Sequence, residues 1–166
     1  MKYSVLFKSL IDIFCFGLLV VLSALFISEL VELYDNDKID ISLSFESIFN
    51  LIITVLSMAY WITFLRGIMF LRRVARNYLS RDFISPKIVA NLKMCGKHFL
   101  YAGGISAFIL FIVQLAEDGF LINPLLLIEG FVVSPLFLFI IGLFFLIQCG
   151  SLFKAIILEE ENSLTV

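Results

Sequence analysis

The chain has 166 residues, of which 61% are hydrophobic and 16% charged, where soluble domains run at roughly 45–50% and about 25%. That composition excludes a water-soluble domain, and four spans of about 20 residues leave no room for a nucleotide fold, a catalytic domain or a nucleic-acid module. The net charge of −2 hides a strong asymmetry, with −5 over residues 29–46 and +7 over residues 66–97.

The first apolar stretch covers about 10–30 and follows Lys2 and Lys8. It reads as a permanent anchor, since no small-x-small cleavage pair follows the apolar run, and Cys15 lies at its start, where a lipoprotein cysteine would follow it. Beyond it, an acidic loop over about 31–47 contains Ile39-Asp40-Ile41-Ser42-Leu43-Ser44-Phe45. Its strict alternation is the pattern of a half-buried strand. A lone strand needs a partner, and Phe120 to Leu127 is the apolar candidate in the second outer loop, so the two loops are expected to form a small strand-and-loop cap.

The second span covers about 48–71. Arg66 lies about one turn from its end, close enough for its stem to snorkel to the headgroups. Arg72, Arg73 and Arg76 alternate with Leu71, Val74, Ala75 and Leu79, which predicts a basic amphipathic continuation of the helix. Ser85-Pro86 reads as the next helix start, with proline at the first helical position, where its missing N–H costs nothing. The helical pattern then runs to about Glu117. Its length requires the part before Lys97 to protrude, with the third span at about 99–115. A helical hairpin over about 72–98 follows from the two extensions. After an outer loop at about 116–133, the fourth span covers about 134–157 and leads to the acidic Glu159-Glu160-Glu161.

Lys and Arg concentrate on the cytoplasmic side of membranes, and the block 66–97 carries eight of the chain's twelve. The hairpin is therefore placed inside, as are both termini, and the loops 31–47 and 116–133 outside. The predicted fold is an all-α, single-domain, four-helix transmembrane bundle with an extracytoplasmic cap and a cytoplasmic hairpin between spans two and three.

Coupled transport usually needs an ionisable group deep in the membrane, and none is present. Asp12 and Arg66 sit at comparable depth and are predicted to form a structural ion pair joining spans one and two, with Lys8 as a second neighbour of Asp12 at i−4. Cys95-x-x-His98 resembles half of a zinc site, but no second motif completes a tetrahedral set. Cys15 and Cys149 suit a role as small hydrophobes. No catalytic residue, cofactor or metal ligand is assigned. The small-residue pairs Gly103/Ala107, Ala102/Ser106 and Ser151/Ala155 allow close helix packing, within the chain in preference to a homodimer face. The candidate binding residues are Arg72, Arg73, Arg76, Arg81 and Lys87 in the hairpin and Leu164 and Val166 in the tail. Anionic headgroups account for the charge of this block, but not for a capped, ordered hairpin, which is large enough to dock a small protein.

Phe70-Leu71-Arg72-Arg73, Phe83-Ile84-Ser85-Pro86 and the ending Leu158-Glu159-Glu160-Glu161-Asn162-Ser163-Leu164-Thr165-Val166 resemble the bacterial membrane family catalogued as domain of unknown function 2975. In that family Asp stands where Ser163 does here. The resemblance implies a four-helix membrane protein whose gene often neighbours that of a small helix-turn-helix regulator. It supplies no activity. The functional expectation is an inner-membrane interaction or regulatory protein, not an enzyme, that engages a cytosolic partner such as that regulator without binding nucleic acid itself. The alternative is a small transporter, channel or self-immunity protein.

Overall fold

A computed structural model describes residues 2–35, 45–79, 85–118 and 133–164. They form four α-helices, with no strand among the described residues: α1 (Lys2–Asp35), α2 (Phe45–Leu79), α3 (Pro86–Asp118) and α4 (Val133–Leu164). Each is long and apolar enough to cross a membrane, so the chain is a multi-pass membrane protein.

Every helix outruns the apolar span that marks it. α1 occupies 31–35 and α2 starts at Phe45, so the connection between them is shorter than the loop expected over 31–47. The connection between α3 and α4 is likewise shorter than the loop expected over 116–133, because α3 reaches Asp118 and α4 starts at Val133. Charged and polar residues at the ends do not interrupt a helix whose backbone bonds are already being satisfied turn by turn, so hydropathy marks the hydrocarbon portion only. The alternating segment falls outside the described residues except for Phe45, which is helical; the strand therefore does not reach it. Phe120 to Leu127 also lies outside them. At the other turn the helix begins where Ser85-Pro86 placed it, with the Ser85 carbonyl accepting from the N–H groups of Ile88 (3.0 Å) and Val89 (3.3 Å).

The extensive interfaces follow chain order: α1 on α2, α2 on α3, α3 on α4. Their seams have the alternating four- and three-residue spacing of coiled-coil packing. On α3 the buried residues are Ile88, Leu92, Cys95, Phe99 and Ala102. On α4, Pro135, Leu138, Gly142 and Cys149 are buried, with Phe145 half-buried between the last two. Phe99 lies between Phe64 of α2, 5.7 Å away in an edge contact, and Phe145 of α4, 5.9 Å away and stacked.

The small-residue contact that matters is one the sequence patterns did not single out. Gly96 of α3 and Gly142 of α4 meet so closely that a methyl group on Gly96 would stand 2.8 Å from the Gly142 carbonyl oxygen. Gly103 adds a second close approach, to the Pro135 carbonyl. Ser151, by contrast, is exposed and donates to the Ile147 carbonyl of its own helix at 3.2 Å.

At about 100° per residue, Gly96, Leu100 and Gly103 share the flank of α3 that meets α4, whereas Met94, His98, Tyr101 and Ile105 lie on the opposite flank. On α2, Ile68 and Arg72 face α1, whereas Arg66, Phe70, Arg73 and Asn77 lie on the far side. The two helices are antiparallel, so these relations place α1 and α4 on one broad face of the α2–α3 pair. Among the described residues, no helix covers the other face.

Candidate functional site

The open face is a groove between α2 and α3, and it carries most of the basic residues predicted to bind a partner. Toward the loop end, Arg73, Arg76, Asn77, Lys87 and Asn91 surround a cleft of about 380 Å³. One turn deeper, Arg66, Phe70, Arg73, Met94 and His98 line a second cleft, of about 290 Å³. Arg66 and His98 also line a third, of about 630 Å³, together with Thr63, Tyr101, Gly104 and Ile105. The three form a continuous trough because residues 66, 70, 73 and 77 recur on one side of α2 and residues 91, 94, 98, 101 and 105 on one side of α3.

Ring contacts hold the middle of the trough in place. The Arg73 guanidinium lies 5.1 Å from the centre of the Phe70 ring, a cation–π distance. Phe70 and His98 are 5.3 Å apart, and His98 and Tyr101 6.4 Å apart. His98 Nδ1 is 2.8 Å from the Met94 carbonyl. A carbonyl can only accept, so Nδ1 carries the proton and Nε2 is the nitrogen left for other partners.

Beneath the loop-end cleft, Val74 of α2, Ile88 and Leu92 of α3 and Cys149 of α4 form one buried cluster. The Cys149 thiol donates to the Val89 carbonyl at 3.4 Å. The basic residues there therefore stand on packed helices. α4 continues past this point to Leu164, with Glu159, Glu160 and Leu164 all exposed. Position 89 of α3 faces position 149 of α4, so the residues of α4 beyond about 152 extend past the start of α3, by about 18 Å at 1.5 Å per residue.

Two site expectations change. The ion pair joining the first two helices is Asp12 with Arg72, at 2.5 Å, and not Asp12 with Arg66. The packing of Cys15 with Ile68 sets the antiparallel register, which puts Asp12 level with Arg72. Arg66 is nearly two turns away and on the other flank of α2. Arg72 is correspondingly engaged with α1 and set apart from Arg73, Arg76 and Lys87, which share the trough. Arg81 and Val166 lie outside the described residues.

Cys95 and His98 do not converge. Cys95 is buried in the helix seam while His98 lines the trough, and among the described residues no group of three potential ligands is placed to hold a metal ion. The trough residues that sequence reasoning missed are His98 and Tyr101, together with the role of Arg66. The available signal was the recurrence of Arg66, Phe70, Arg73 and Asn77 at three- and four-residue steps, which marks one side of a helix. Comparison with family models, with curated proteins and with solved structures finds no match.

Proposed function

We propose that this chain is a bacterial inner-membrane docking protein that presents the basic ends of α2 and α3 and the acidic end of α4 to a cytosolic partner. In this reading the termini and the α2–α3 turn face the cytoplasm, because the turn carries the Lys and Arg excess, and residues within 31–47 and 116–133 cap the outer side. The observation that carries it is the buried cluster of Val74, Ile88, Leu92 and Cys149 under Arg73, Arg76 and Lys87. A segment serving only as a topology signal needs charge but no such packing, whereas a docking surface needs fixed side chains. The partner class is a small soluble helix-turn-helix regulator, as implied by the resemblance to domain of unknown function 2975, and membership of that family is part of the proposal. The protein itself catalyses no reaction.

Affinity purification of the full chain from mild detergent tests this, with co-elution of a soluble helix-turn-helix protein as the readout. Replacing Arg73, Arg76 and Lys87 together by Gln should abolish co-elution while leaving membrane insertion intact, because five Lys and Arg remain in the block of eight. Arg72 is spared because it holds α1. Deleting residues 162–166 removes no charged side chain, so a loss of binding there would identify recognition of Leu164 and Val166 by shape. Undiminished co-elution with the triple variant would refute docking at this surface.

A further inference from the structure

The inner part of the trough calls for a ligand of a different kind. Arg72 shares its level with Asp12, and Arg66 lies about 9 Å deeper along α2 at 1.5 Å per residue. Asp12 is engaged by Arg72, Glu159 and Glu160 stand on the part of α4 that runs past the start of α3, and among the described residues no ion pair or hydrogen bond is formed by Arg66. The Cα–Cβ bonds of a helix tilt toward its N-terminus. For α2 that is the end away from the basic cluster, so Arg66 sets out toward the apolar part of the span. An unpaired guanidinium at the edge of the hydrocarbon carries a cost, and its usual remedy is an anion or a polar cavity.

The surroundings of Arg66 are ordered like a phospholipid. On the side of the basic cluster stand Arg73 and His98, which share a cleft with it. On the midplane side the trough continues along Tyr101, Gly104 and Ile105. Gly104 leaves that part open, for a Cβ placed on it would meet nothing within 4 Å. Guanidinium groups match phosphate oxygens bidentately, and basic pockets between membrane helices suit anionic headgroups.

We propose that the α2–α3 groove binds one anionic glycerophospholipid, its phosphate held between Arg66 and Arg73 and one acyl chain lying along Gly104 and Ile105. This site meets the docking surface at Arg73 and is told apart from it by the other residues: it depends on Arg66 and Gly104, which that surface does not use, and does not depend on Arg76 or Lys87.

Native mass spectrometry of the full chain in mild detergent, titrated with dioleoylphosphatidylglycerol, dioleoylphosphatidylcholine or inorganic phosphate, tests the site. One phosphatidylglycerol should be retained in preference to phosphatidylcholine. Arg66→Gln should weaken its retention roughly fivefold, the equivalent of the about 1 kcal/mol that a basic residue contributes to anionic lipid binding near the surface. Gly104→Leu, which keeps both arginines and fills the acyl part of the groove, should weaken it comparably. Arg76→Gln should change it less than about twofold, and circular dichroism should show unchanged helix content in all three variants. Equal retention of phosphatidylcholine, or an Arg66→Gln variant that binds as well as the parent, overturns the proposal. So does displacement of the lipid by an equal concentration of inorganic phosphate, which would indicate a site for free anions.

Discussion

The contact between Gly96 and Gly142 gives a sharp test of how α3 and α4 are held together. A methyl on Gly96 would lie 2.8 Å from the Gly142 carbonyl oxygen, and one on Gly142 would lie 2.9 Å from Leu100 Cγ and 3.0 Å from the Gly96 carbonyl oxygen. Carbon–oxygen contacts settle at about 3.3 Å or more, so either alanine forces the helices apart by roughly half an ångström. Overpacking of this kind costs about 1–3 kcal/mol. Helix propensity acts in the other direction, since replacing an interior glycine by alanine gains about 0.8–1 kcal/mol. Gly104 on α3 and Gly150 on α4 separate the two effects, because a Cβ at either meets nothing within 4 Å. Gly104→Ala and Gly150→Ala should therefore be neutral or mildly stabilising. The difference between Gly96→Ala and Gly104→Ala, and between Gly142→Ala and Gly150→Ala, cancels propensity and should equal the steric cost, about 1–3 kcal/mol. Reversible unfolding in mixed micelles, with increasing fractions of a denaturing detergent, measures these differences. Values within about 0.5 kcal/mol of each other in both pairs, the usual scatter of uninvolved positions, would refute the close crossing.

Two further outcomes follow from the geometry. In a double-mutant cycle on Asp12→Asn and Arg72→Gln, read by the same unfolding assay, the coupling should be about 0.5–1 kcal/mol, at the level of a partly exposed pair. Replacing Arg72 by Arg66 in the cycle should give none, and the reverse ranking would overturn the register between α1 and α2. For orientation, alkaline-phosphatase fusions at Asn36 and Asp118 should be active and one at Asn77 inactive, as the distribution of Lys and Arg requires; the opposite pattern would invert the topology.

What could be read from the residues was what depends on composition and on local chemistry. The number of helices followed from hydropathy, and the start of α3 followed from Ser85-Pro86 because a proline N-terminus is decided by neighbouring atoms. Which helix faces which was not legible in the same way. Lipid-facing and protein-facing positions are both apolar in a membrane, so Phe99 in the seam and Phe108 outside it look alike in sequence while differing in burial. Gly96 and Gly142 escaped notice for a related reason. A search for small residues four apart within a helix finds Gly103/Ala107, but the tight contact here joins one glycine from each of two helices, with the next close approach seven residues along, at Gly103 and Pro135. The trough was half legible. Its cations were visible as a charge block, whereas the division between Arg72 on one flank of α2 and Arg66 and Arg73 on the other needed the helix period and the position of α1 together.

The pairing of Asp12 follows from the same constraint. α1 exposes large apolar side chains on nearly every side, Val5, Leu6, Leu10, Ile13 and Phe16 among them, so its pattern holds little information about which face meets α2. A bilayer supplies no hydrophobic drive to bring it there, because lipid tails are as apolar as the helix. Depth is instead fixed by what cannot leave the interface. Moving Asp12 level with Arg66 would slide α1 about 9 Å further into the bilayer at 1.5 Å per residue. That shift would draw Lys8, one turn before Asp12, into hydrocarbon and separate Cys15 from Ile68, with which it is packed. Pairing with Arg72 keeps Lys8 and Asp12 at the basic end and lets Ile11 and Cys15 remain buried. The ion pair therefore acts as a depth stop for a helix that would otherwise slide, and it holds the Asp12 carboxylate at the level of Arg72, away from Arg66.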